Sequence, residues 1–271
     1  MNVLSHGFSC CFRVYCDGSQ VITLMRKRRS HGLFIKACLN GAREPGEHPT
    51  LPLTAEDLAH NAALVVAAGA RALHIHLRAA DGKQSLAAQD QAAAISAIRT
   101  RCPGIPVGVS TAIGIEPDVA LRLRNVQEWT VWPDFASVNF EEPGVVDLCH
   151  ALLERGIGVE AGLSSAAEVE LLLKFGLAER CLRILIEPVE EETSAALATT
   201  AAIIHALDEA SIRLPRLLHG FDAVAWPVLD AALRYGYDTR IGLEDTLALP
   251  DGSLVPGNAE LIALAVSRAA I

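Results

Sequence analysis

His74 and His76 stand two residues apart in "RALHIHLRAADGK", a stretch that otherwise reads as a buried strand. Residues i and i+2 of a strand face the same way, so both imidazoles would project together while Ile75 turns to the opposite side. Two neutral imidazoles at that spacing make half of a metal site, typically completed by a carboxylate and an open position. The other reading is a pair of hydrogen-bonded core histidines. The acid best placed to complete a site is Glu244 in "TRIGLEDTL", at the end of the last strand-like segment, where Arg240 and Gly242 share its parity. Two His and one carboxylate suit a zinc-like ion, with Mn and Fe as alternatives. Asp245 follows where a loop begins. Beside a metal-bound Glu and an Arg it could serve as a base tuned by opposing neighbours; otherwise it is a solvated loop acid. Ser110, Thr111, Ser137 and Asn139 offer hydrogen bonds at other strand ends, although such residues also cap and satisfy backbone.

These residues need a scaffold that brings distant segments to one rim. Short β-rich runs occur at Phe34 to Leu39, Ala72 to Leu77, Pro106 to Ser110, Phe135 to Asn139, Gly158 to Ala161, Leu182 to Glu187, Arg216 to His219 and Thr239 to Leu243. Each is followed by a segment of helical period: Ala55 to Ala68, Gln89 to Arg99, Pro117 to Arg124, Val145 to Arg155, Ser165 to Phe175, Ser194 to Asp208, Ala223 to Tyr235 and Gly257 to Arg268. Thr54 with Asp57 predicts a helix N-terminus, and Gly69, Gly156, Gly176 and Gly236 fall where helices should end. Repeated strand and helix units, without a G-x-G-x-x-G turn after the first strand, favour a single-domain (β/α)8 TIM barrel over a doubly wound sheet. In such a barrel chemistry gathers where strands pass into βα loops. The predicted strands deliver Asn40 and Arg43, His74 and His76, Ser110, Asn139, Glu160, Glu187, His219 and Arg240 through Asp245 to that rim.

Composition narrows the partners. The 271-residue chain is 51% hydrophobic and carries a formal charge of -9. It can bury a large core, and it has no general attraction for nucleic acid or an anionic membrane, which points to small molecules. Seven scattered Cys without C-x-x-C fit a reduced, cytoplasmic protein, and no apolar run suggests a membrane span. Residues 1–32 lack a clear period and hold a basic cluster after an apolar stretch, the wrong order for a secretory signal. They are expected to form a poorly ordered extension ahead of a barrel domain over residues 33–271.

Taken together, "CLNGAREPGEHPTLPLT", "ALHIHLR", "VGVSTA", "FASVNF", "GVEAGL" and "TRIGLEDTLALPDG" resemble the β-keto acid cleavage enzyme family, in order and from about Leu33 onward. The resemblance implies a zinc-dependent TIM barrel, homo-oligomeric as a dimer or tetramer. It implies that a β-keto acid and acetyl-CoA become acetoacetate and a new acyl-CoA. By that resemblance His74, His76 and Glu244 would hold the metal. Asp245, coupled to Arg240, would take the proton between the two carbonyls. Ser110, Ser137, Asn139 and Glu160 match positions around the substrate. Where the aminohexanoate-cleaving type has an acid after Gly-Ala, this chain has Arg43, which would disfavour a cationic substrate and suit a neutral or anionic keto acid. Two other functions fit the same fold: an amidohydrolase-like metal hydrolase, which normally recruits further His from its fifth and sixth strands, and a non-catalytic binding barrel.

Overall fold

The computed structural model describes residues 34–270. The expected extension over residues 1–32 lies outside them. Eight parallel strands close into a barrel in chain order: β1 (Ile35–Cys38), β2 (Ala72–Ile75), β3 (Val107–Ser110), β4 (Phe135–Asn139), β5 (Gly158–Leu163), β6 (Arg183–Ile186), β7 (Arg216–Leu218) and β8 (Asp238–Ile241). The helices between and after them are α1 (Ala55–Ala67), α2 (Ala88–Arg101), α3 (Val119–Gln127), α4 (Val145–Glu154), α5 (Ala167–Lys174), α6 (Thr193–Glu209), α7 (Ala225–Tyr235) and α8 (Asn258–Ala269). This is the (β/α)8 TIM barrel that the alternation predicts. Closure pairs β8 with β1, so Lys36 is registered with both Arg240 and Ala72. Among the described residues no helix is long and apolar enough to cross a membrane.

Local chemistry explains the element ends. Thr54 Oγ1 accepts from Asp57 N, and the Asp57 carboxylate accepts from Thr54 N, each at 3.1 Å. This capping box stabilises α1 by about 1 kcal/mol. At the other end of α7, Gly236 adopts φ +67 at the cap, a conformation that a side chain would strain.

Alternate strand residues divide two environments. Outward-facing Leu73, Ile75, Val107, Val109, Ala136, Val138, Val159 and Ala161 pack in the main core with the helices. Inside, Phe135 fills the space left by Gly108, where an added Cβ would run into its ring. The interior also holds charge: Lys36, Glu160 and Arg183 are buried and paired, with Lys36 Nζ 2.5 Å from Glu160 Oε2 and Arg183 Nε 3.3 Å from Glu160 Oε1.

Two strands, β2 and β8, stop two residues short of their predicted ends. β8 ends at Ile241 because Gly242 passes against the Cys38 carbonyl, and Asp245 N and Thr246 N then turn back to Gly242 O at 2.9 and 3.0 Å. Glu244 therefore sits in a turn rather than on the strand. β2 ends at Ile75, yet His76 keeps strand-like pairing through a side chain: its N–H donates to Asn40 Oδ1 and its carbonyl accepts from Asn40 Nδ2, both at 2.9 Å.

Candidate active site

Barrel closure brings the ends of β1, β2 and β8 together. His74 Nε2 lies 3.7 Å from Glu244 Oε2, and His76 Nε2 lies 3.8 Å from Glu244 Oε1. One potential ligand atom from each of the three residues falls within 4.8 Å of the others. Several features fit this trio to a metal ion. Burial keeps both rings uncharged, pushing His74 down to about 3 and also lowering His76, although Glu244 opposes the shift in each case. His76 Nδ1 is engaged by Gln84 Oε1 at 2.5 Å, and His74 Nδ1 lies 3.5 Å from Ser137 Oγ. A ring whose Nδ1–H is held by an acceptor presents the Nε2 lone pair, the donor a divalent ion takes. Among the described residues Glu244 Oε2 is buried without a hydrogen-bond partner, the condition of an anionic oxygen meant for something else.

The Asn40–Gly41 turn makes room for this carboxylate. Gly41 has φ +55, and a Cβ there would lie 2.8 Å from Glu244 Cβ. Arg78 secures the turn by donating to the Gly41 and Arg43 carbonyls at 2.8 and 2.7 Å.

Arg240 rises from β8 between two acids. Its Nη2 donates to Glu244 Oε1 and to Asp245 Oδ1, each at 2.7 Å, and its Nε donates to Asp245 Oδ1 at 3.1 Å. Asp245 Oδ2 is buried and has no hydrogen-bond partner among the described residues. For Asp245, burial raises the proton affinity, Arg240 restrains that rise and Glu244 adds to it. For Glu244, burial also favours the proton, but Arg240, His74 and His76 outweigh it and hold the carboxyl below its usual range. Two neighbouring carboxyls are thus driven apart, one toward a permanent anion and the other toward a proton acceptor.

A cavity of about 440 Å³ opens above these groups. Arg43, His74, His76, Ser110, Ser137, Asn139, Arg240 and Glu244 line it, as do the rim residue Glu187 and Leu185, Phe221 and Asp222, which sequence patterns did not single out for a site role. Glu187 and His219 were legible as rim residues; Gln84, Phe221 and Asp222 carry no sequence signal beyond their place in loops. Three expected site residues lie outside the cavity wall. Thr111 is fully buried and donates through Oγ1 to the Ser137 carbonyl at 2.7 Å. Glu160 accepts from Ser137 Oγ at 3.0 Å within the Lys36 and Arg183 network. Asp245 is fully buried and joins the site through Arg240, which pairs with it and with Glu244.

Arg43 crosses the mouth. It donates through Nε to the Leu243 carbonyl at 3.2 Å, pairs with Asp222 after β7, and lies 3.4 Å from Glu47. Its charge is therefore already countered by two carboxylates.

The family model for beta-keto acid cleavage enzyme matches residues 32–271. The chain belongs to the β-keto acid cleavage enzyme family. It is therefore an enzyme of a kind that cleaves β-keto acids, built on the barrel described above. Its relatives include the 3-keto-5-aminohexanoate cleavage enzymes of Fusobacterium nucleatum, 24% identical over 244 residues (85% of this chain and 88% of the relative), and of Acetoanaerobium sticklandii, 22% identical over 246 residues (85% and 89%). Among solved structures, 3-dehydroquinate dehydratase from Geobacillus kaustophilus superposes with a TM-score of 0.55 at 11% identity, covering 88% of this chain and 91% of the other. The 3-hexulose-6-phosphate synthase from Salmonella typhimurium gives 0.51 at 14% identity, covering 88% and 100%. At such identities these likenesses concern the fold alone.

Proposed function

We propose that this member of the family condenses a β-keto acid with acetyl-CoA and releases acetoacetate and a new acyl-CoA, using a zinc-like divalent ion held by His74, His76 and Glu244. The observation that carries this reading is the adjacency of the His-His-Glu cluster to Asp245, a buried carboxylate with one oxygen held by Arg240 and the other without a hydrogen-bond partner among the described residues. When bound, the ion supplies Lewis acidity toward the oxygens of the keto acid. Asp245 Oδ2 takes a proton from the carbon between ketone and carboxylate. The carbanion bonds to the acetyl thioester carbon and expels the CoA thiolate. That thiolate adds to the original ketone carbon, the bond between it and the former α-carbon breaks, and acyl-CoA leaves. The acetoacetate carbanion recovers the proton. Atoms balance, and Asp245 ends as it began. Arg240 holds the base in place throughout, while Ser110, Ser137 and Asn139 supply hydrogen-bonding groups to the cavity wall.

Arg43 supports a substrate with an uncharged side chain. An ammonium group at the mouth meets a guanidinium, whereas a second carboxylate must displace Asp222 from it. A neutral β-keto acid avoids both costs.

The test is purified, zinc-loaded protein incubated with acetyl-CoA and a mixed panel of neutral, anionic and amino-substituted β-keto acids, followed by mass spectrometry. Acetoacetate and new acyl-CoA species are expected from the neutral members. Absence of CoA exchange with every keto acid would overturn the reading.

A further inference from the structure

Acyl transfer needs room for CoA, and the cavity above His74, His76 and Glu244 does not suit its charged end. The two guanidiniums that line that cavity are already engaged, Arg43 by Asp222 and Glu47 and Arg240 by Glu244 and Asp245. A chain of formal charge -9 must set unengaged cations wherever it holds a polyphosphate.

A second cavity, of about 570 Å³, begins beside the first. Asp222 stands in the wall of both. Its N–H donates to the Asp245 carbonyl at 2.6 Å, so the partition lies one hydrogen bond from the backbone of the base. From there the cavity follows the 3₁₀ turn Asp222–Val224 and then α7, lined by Asp222, Ala223, Trp226, Pro227, Asp230 and Arg234. Steps of one, three and four residues keep these positions on one side of a helix. From 222 to 234 the helical rise amounts to about 18 Å. A pantetheine arm has the backbone length of four or five extended residues, roughly 15 Å. With its sulfur at Asp222, the arm therefore brings the phosphates close to Arg234.

The walls match such a guest along this length. Leu197 of α6 and Leu249 and Pro250 of the loop after β8 add apolar surface for the methylenes and geminal methyls of the arm. Trp226 is buried and fixed: its Nε1–H donates to the Ala248 carbonyl at 2.9 Å, and the Arg268 guanidinium lies 5.1 Å from its ring centroid. Arg268 also donates to both oxygens of Asp230, at 2.6 and 2.7 Å. Asp230 is thereby countered, as Asp222 is by Arg43. Arg234 differs. It is exposed and has no hydrogen bond or ion pair among the described residues, which leaves an uncompensated positive charge at the outer end.

We infer that this groove is the CoA site, with the pantetheine arm along α7, the thioester passing Asp222 into the keto acid cavity, and the phosphates at Arg234 beside Arg268. The inference rests on the reading of the enzyme as an acetyl-CoA acyltransferase.

Two variants test it. Arg234→Glu reverses the free charge, and Ala223→Trp fills the groove near its inner end from an exposed position. Calorimetric titration of zinc-loaded protein with CoA needs no turnover, and each variant should weaken CoA about tenfold or more at low salt. In kinetics with acetyl-CoA and with acetylpantetheine, Arg234→Glu should lower kcat/KM about tenfold for acetyl-CoA and less than about twofold for acetylpantetheine, which has no phosphates. Its KM for the keto acid should stay within about twofold of wild type. Ala223→Trp should lower kcat/KM for both donors. CoA affinity unchanged in either variant would overturn the inference, as would equal losses for the two donors in Arg234→Glu. Should Ala223→Trp fail to fold, Arg234→Glu still decides. Wild type that binds no CoA and forms no acyl-CoA is a separate result, which would overturn the acyltransferase reading and the inference with it.

Discussion

Glu160→Gln separates a substrate contact from a structural ion network. Glu160 is fully buried, with Lys36 Nζ at 2.5 Å, Ser137 Oγ at 3.0 Å and Arg183 Nε at 3.3 Å around its carboxylate. Glutamine preserves the shape and removes the charge, leaving the Lys36 ammonium in a barrel interior beside the Phe135 ring, whose centroid is 5.4 Å away. Breaking a buried pair by removing one partner costs about 3–5 kcal/mol. The titration of Glu160 leads to a similar figure. Burial alone would raise its proton affinity, but Lys36 and Arg183 prevail and hold the carboxyl at about 2, against an ordinary 4.5. At about 1.4 kcal/mol per pH unit, that depression contributes about 3 kcal/mol at neutral pH.

For a chain of this size, 3 kcal/mol corresponds to a Tm lower by about 6–12 °C. Because the folded carboxyl titrates below the unfolded one, its contribution is complete above about pH 4.5 and fades as pH falls toward about 2. Thermal and urea unfolding at neutral pH should therefore show the full deficit of the variant, and the gap to wild type should close across that acid window. A gap under about 1 kcal/mol, as for an exposed pair, would refute the reasoning. So would an unchanged Tm with a strongly raised KM, the signature of a side chain that touches substrate.

Three further tests concern the rim. His76→Ala should lose zinc and activity together, read by elemental analysis and keto acid turnover; zinc retained at full stoichiometry would mean that the ligands are misassigned. Gly41→Ala, which puts a methyl against Glu244 at a backbone φ of +55, should weaken zinc binding about 10–100-fold in competition with a chromophoric chelator, and unchanged affinity would refute the role given to that turn. Arg43→Ala should improve kcat/KM for an amino-substituted keto acid relative to a neutral one by about fivefold, since a unit charge a few ångströms away in water-like surroundings contributes about 1 kcal/mol; an unchanged ratio would remove Arg43 from specificity.

The meeting of His74, His76 and Glu244 was legible because two simple rules converge on it. Strand parity places His74 and His76 on one side, and a closed barrel of eight units makes the first and last strands neighbours, which brings the turn after β8 within one strand of β2. Glu160 and Thr111 show where those rules stop. "GVEAGL" reads as a strand that gives out at Ala161, because glycine ordinarily weakens a strand, and this would leave Glu160 at the rim. In the structure β5 continues to Leu163, with Glu160 registered against Ser137 and Gly162 against Asn139. Two added residues lower Glu160 by one interior layer, from the cavity into the network of Lys36 and Arg183. The same glycine that ends the strand on paper is needed within it, because its missing side chain is the space occupied by Glu187 and Asn139. Single-strand patterns specify which way a residue faces; the depth at which it sits depends on the stagger of neighbouring strands, and that stagger decides whether a carboxylate meets substrate or lysine.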